Sequence, residues 1–265
     1  MHPFHDATRI QSADEDQTWT ANVPDGWSQG RAAFGGIVSA LVLRAAQTEA
    51  PPDRHCIGFN LAFVGPLRPG HCRITQRILR NGRSVSHIEN HIHQEGDIRA
   101  NCTSFWGTPR PQSIFHAPEA HEKLLPGEEA LHRPYDPSVM PEFVQNFEYR
   151  WDHHGLPYSG SSTPLVAGWI RQRNQDPHDL ALVTALIDAW PPPVWSLLTR
   201  PAFGSSVAWQ VQFLHPPPEK PGWFYFRSQA GFAANGYSDI NAELWDPNGR
   251  LLARSRQIFA DFSGS

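Results

Sequence analysis

The sequence predicts an α+β fold in which one unit occurs twice, giving two long central helices packed on a single extended antiparallel β-sheet. Three observations predict it. A buried-looking helix followed by a run of strand-like segments occurs once in each half of the 265 residues. The turn residues between those segments recur in the same order. A proline-rich stretch separates the halves.

The first helix follows a glycine-rich lead-in, Gly30 and then Phe34-Gly35-Gly36, and reads IVSALVLRAAQTEA up to Pro51-Pro52. Between Ile37 and Ala46 only Ser39 and Arg44 are polar. A helix apolar on most sides is an interior one, and the paired prolines end it. The segments CIGFNLAFV, HCRITQRIL, SVSHIENHIHQ and IRANCTSFW come next, set apart by turns at Pro66 to Gly70, Asn81-Gly82 and Glu95-Gly96-Asp97. A helix followed by an antiparallel meander suggests a sheet wrapped on a helix.

The second half repeats this order. DLALVTALIDAW stops at Pro191-Pro192-Pro193, and SSVAWQVQFL, GWFYFRSQA, SDINAELWD and LLARSRQIFADF follow. Phe63 and Pro66 answer Phe213 and Pro216; Asn81-Gly82 answers Asn235-Gly236; Gly96 answers Gly249. Matching spacing between several such anchors marks an internal duplication. The expected organisation is a first unit over 1–108, a linker over 109–144 with seven prolines, and a second unit over 145–265. EFVQNFEYRWD, which straddles the second boundary, reads as that unit's first strand. A lone unit would leave a sheet edge unpaired, and joining two units edge to edge would remove it.

Bulk properties exclude several functions. A net charge of −4 without a compact Lys/Arg run gives no basis for nucleic-acid or anionic-membrane binding. The first residues lack a signal-peptide pattern, and no apolar run long enough for a bilayer is expected. Three cysteines, all in the first half, make a poor disulfide framework and fit a reducing cytoplasm. No G-x-S-x-G elbow, G-x-G-x-x-G or Walker pattern occurs. His87, Glu89, His91 and His93 would share one strand face, but no further metal ligand is placed, so a solvated polar face is expected there and no metal. His153-His154 carries no readable signal.

GRAAFGGIVSALVLRAA, FVGPLRPG, NGRSVS and HQEGDIRANCTSFW resemble the amino-terminal half of bacterial TesB-type acyl-CoA thioesterases. ALIDAWPPPVW, SSVAWQVQFLHPP and NGYSDINAELWDPNGRLLARSRQ resemble their carboxy-terminal half. The resemblance implies a tandem (double) hotdog fold and hydrolysis of an acyl-CoA, or acyl-carrier, thioester without a cofactor. It also implies self-association and a site made of an Asp at the end of the second central helix, a Thr or Ser on the next strand and a Gln on the last. Those positions correspond to Asp188, Ser206 and Gln257.

The chemistry suits these residue types. A carboxylate can take a proton from water, and a hydroxyl and an amide can each hold that water as donor and acceptor. Gly35 and Gly36 would let backbone N–H groups at a helix start approach the thioester oxygen. Trp190 and Trp195 flank the proline run where an acyl chain or pantetheine arm could pass. The duplication offers an internal comparison: Leu43 falls opposite Asp188, Cys56 opposite Ser206 and Ser104 opposite Gln257, so only the second copy holds the polar set. Taken singly, each residue has a plainer reading: a helix-end carboxylate, a turn hydroxyl, a solvent-facing strand amide, a tightly packed glycine pair. Two rivals use the same scaffold: an enoyl-thioester hydratase or dehydratase, which resembles proteins with an Asp/His pair, and a non-catalytic acyl-thioester binder.

Overall fold

The computed structural model describes residues 3–119, 121, 122, 125–152, 155–174, 178–220 and 222–264; His153-His154 and parts of the linker lie outside them. A short helix α1 (Phe4–Ala7) precedes β1 (Ile10–Ser12), β2 (Thr18–Val23), and the small hairpin β3 (Ser28–Gln29) and β4 (Ala32–Ala33). Helix α2 (Gly35–Glu49) leads into β5 (His55–Phe63), β6 (Gly70–Asn81), β7 (Val85–Gln94) and β8 (Asp97–Gly107). In the second half β9 (Phe147–Trp151) and β10 (Leu165–Gln172) precede α3 (Leu180–Asp188). Strands β11 (Gly204–Phe213), β12 (Phe224–Ala234), β13 (Tyr237–Trp245) and β14 (Leu251–Asp261) complete the chain.

Twelve strands form one sheet in the order β1-β2-β6-β7-β8-β5-β11-β14-β13-β12-β10-β9. Outward from the centre the two halves run β5-β8-β7-β6-β2-β1 and β11-β14-β13-β12-β10-β9, the same order twice. The halves meet where β5 pairs antiparallel with β11, Leu61 opposite Trp209 and Phe59 opposite Val211. Each would-be edge thereby becomes an interior ladder, and only the short strands β1 and β9 remain at the margins. Even the irregularities repeat. β5 has a bulge between Cys56 and Gly58 with Phe59 opposite Ser104, and β11 has one between Ser206 and Ala208 with Trp209 opposite Gln257.

The helices lie against each other on one face of the sheet, antiparallel. The start of α2 meets the end of α3 at Gly36, where a Cβ would stand 2.7 Å from the Ala185 Cα. Midway, Ser39 Oγ donates to Thr184 Oγ1 at 2.9 Å, and towards the far end Arg44 pairs with Asp179 at 3.0 Å. Interior hydroxyls are costly unless bonded, so the Ser39–Thr184 contact accounts for the buried hydroxyl in each of these helices.

Only one of the two helices is long. α2 has 15 residues, but α3 has nine, against the two long central helices expected. The Asp179 side chain caps α3 by accepting from Leu182 N at 2.8 Å. Pro191-Pro192-Pro193 stop it early, because proline lacks an N–H and disfavours helical geometry in the residue before it. A 3₁₀ turn, Pro193–Leu197, follows. The expected strand EFVQNFEYRWD is likewise divided: Glu142–Asn146 is a 3₁₀ turn and only Phe147–Trp151 is strand. Strands β2 and β10, absent from the sequence reading, occupy equivalent places in the two halves. One stretch, Leu180–Leu197, does reach membrane-spanning composition over 18 residues, contrary to expectation; 67% of it is buried inside the protein, as a core segment is.

Candidate active site

Three elements bring the polar residues together. Asp188 is the last residue of α3, and its carboxylate reaches the first turn of α2: a Cβ on Gly35 would stand 2.5 Å from Asp188 Oδ2. Only a residue without a side chain leaves that space. The β11 bulge turns Ser206 towards the helix face alongside Trp209, and β14 aims Gln257 at it. Gln257 Nε2 donates to Ser206 Oγ at 2.6 Å. Ser206, Gln257 and Asp188 are each half-buried, and so open to solvent from one side.

Burial raises the Asp188 carboxyl to about 7, while the Gly36 backbone N–H and the Gln257 side chain pull it down by favouring the anion. The negative charge also reaches Tyr149, whose hydroxyl is pushed well above its usual value by burial first and by Asp188 second. Gly36, expected to meet a substrate oxygen, thus has its N–H directed to the carboxylate.

Asp188 also forms part of the wall of a cavity of about 130 Å³, whose aromatic side includes Tyr149, Trp151, Trp190 and Trp195. Trp190 stacks on Phe226 with ring centres 4.9 Å apart and planes 1° from parallel, and meets Tyr149 and Trp151 edge-on. The Tyr149 hydroxyl donates to Ala189 O at 2.9 Å, tying this wall to the end of α3. Trp195 stacks on Tyr158. The far wall was not anticipated. It comes from Val139, Met140 and Phe143, and Phe143 stacks on Phe34 at 4.0 Å just before α2. Nothing in the composition of that proline-rich segment marks it as lining a site. Tyr149 and Trp151 could have been found, because alternation in the predicted strand places both on one face. A wider groove, lined by Asn60, Gln210, Arg256 and Ile258 among others, crosses the sheet's outer face. It faces away from the Gln257 side chain, since Arg256 and Ile258 flank that residue on the opposite side of the strand.

The corresponding place in the first half is closed. Cys56, Ser104 and Leu43 are all buried. Ser104 Oγ is occupied by Trp106 Nε1 at 2.9 Å and Ile88 O at 3.3 Å, and burial drives the Cys56 thiol up to about 12. On the outer face of β7, Asn101 and Thr75 take His91 and His93 at 2.6 and 3.0 Å. Among the described residues no group of three or more His, Cys, Asp or Glu could hold a metal ion.

A twofold helix-on-sheet unit with a carboxylate, an amide and a hydroxyl gathered where the helices meet defines a tandem hotdog protein with one polar site. Two sequence profiles match the chain, one described as the acyl-CoA thioesterase N-terminal domain over residues 23–108 and one as the acyl-CoA thioesterase C-terminal domain over 118–260. The chain belongs to the acyl-CoA thioesterase family those profiles define. Solved structures share the fold over 98% of both chains. They include a hot dog protein of unknown function from Alicyclobacillus acidocaldarius (25% identity, TM-score 0.86) and a candidate thioesterase II from Thermobifida fusca YX (24%, 0.85). The acyl-CoA thioesterase II TesB2 of Mycobacterium marinum is similar at 14% identity and TM-score 0.75. A comparison with curated proteins finds no match.

Proposed function

We propose that the chain hydrolyses acyl thioesters of CoA or of a carrier protein, with Asp188 as general base. A water held by Ser206 and Gln257 attacks the thioester carbonyl as Asp188 takes its proton. The C–S bond then breaks, and the departing thiolate recovers that proton from Asp188, leaving a free acid and a thiol. The positive end of α2 faces this charge. Its Gly36 N–H favours the carboxylate, and the Gly35 N–H, which has no partner within the helix, is assigned to the carbonyl oxygen. The carrying observation is a carboxyl raised to about 7, poised near working pH, at the junction of an apolar cavity and a hydroxyl–amide pair.

A cytoplasmic setting and self-association belong to the same proposal. Three buried free cysteines suit a reducing compartment, and Phe232, Tyr237 and Ile258, exposed on the outer groove, are what a second copy would cover.

Thiol release from acyl-CoAs tests the proposal. Asp188→Asn should lower kcat by about 10²–10⁴-fold with acyl-CoA affinity retained. In the parent, kcat/KM should rise with pH to a plateau above about 7, because the base must be ionised. An Asp188→Asn protein with parental turnover, or a parent releasing no thiol from any acyl-CoA or acyl-carrier thioester, would refute it.

A further inference from the structure

We infer that the site selects compact acyl groups, of about one aromatic ring or six carbons, and not long fatty chains. The inference rests on the hydrolytic reading only in placing the thioester carbonyl beside Asp188. Since that carboxylate is part of the cavity wall, the acyl chain beyond the carbonyl is assigned to the cavity.

Size is the first constraint. The space is about 130 Å³, and an apolar protein cavity of about 150 Å³ holds one benzene. A palmitoyl chain needs several times as much. Rigidity is the second. Trp190 is clamped between the stacked Phe226 and the edges of Tyr149 and Trp151. Behind it Gly168 brings the β10 backbone so close that a Cβ there would stand 2.8 Å from the indole. This wall cannot retreat to admit more carbons. Shape is the third: indole and phenol rings on two sides offer stacked and edge-on contacts to a planar group.

The test compares kcat/KM for hexanoyl-, dodecanoyl-, palmitoyl- and phenylacetyl-CoA. Hexanoyl and phenylacetyl should exceed palmitoyl at least tenfold. Met140→Ala, which widens the far wall, should shift the optimum towards dodecanoyl. Palmitoyl turnover equal to or above hexanoyl overturns the inference while leaving hydrolysis standing. Calorimetric titration with phenylacetate and with dodecanoate separates the two claims: tighter binding of phenylacetate without any thiol release supports the cavity and refutes the hydrolase, and tighter binding of dodecanoate refutes the cavity.

Discussion

Asp188 shows what a poised group costs the protein that carries it. Burial raises its carboxyl to about 7, whereas an unfolded chain releases that proton near pH 4. The native state therefore holds a proton the unfolded state gives up, and the stability linked to it is complete below about pH 4 and lost as pH climbs through about 7. Asp188→Asn removes the penalty. The variant should be more stable than the parent by on the order of 1–3 kcal/mol at pH 8 and about equal to it at pH 4, as read by denaturant unfolding. An equal gain at both pH values would mean the charge is not its source. The three polar positions were reached through the family resemblance, and the duplication added a reference copy in which the same places hold Leu43, Cys56 and Ser104. Trp190 and Trp195 were named from the sequence as well; the far wall was not, because a cavity wall gathers residues from 29 to 195 that no local pattern connects.

At the scale of elements, the short α3 is held by its ends. Asp179 caps its first turn and also takes Arg44 from the far end of α2, fixing how the helices slide past each other and so where Asp188 meets Gly35. Asp179→Ala should cost about 1–2 kcal/mol, mostly the cap with a smaller share from a partly exposed ion pair. That corresponds to a fall in Tm of roughly 2–6 °C. Asp179→Asn, which can still cap, should lose less by the same melt; equal losses would assign the effect to the ion pair. Helix positions were readable from apolar runs and proline stops. The length of α3 was not, since the residues between Asp188 and the prolines look helical by composition, and it is the prolines' demand on the preceding backbone that ends it.

The whole molecule depends on the seam between β5 and β11. Gly58 lies so close to Val211 O that a Cβ would stand 2.6 Å away, and the opposed atom is backbone, which cannot swing aside. Gly58→Val should force the seam apart, cost about 2 kcal/mol or more by analogy with overpacked interiors, and broaden or divide the unfolding transition seen by calorimetry. A single transition at the parental temperature would show that the seam tolerates the change. Edge-to-edge joining was foreseeable from the duplication, because two exposed edges invite pairing. The bulges that aim Ser206 were not, since a bulge is one extra residue in a ladder and leaves no composition signal.

The strap over residues 139–144 gives this architecture an unusual freedom. One side of the cavity beside Asp188 is furnished by chain outside the twelve-stranded sheet, so its substitutions are not constrained by strand register. A lineage could re-gauge what fits inside by editing a few residues there, leaving the scaffold and Asp188 untouched.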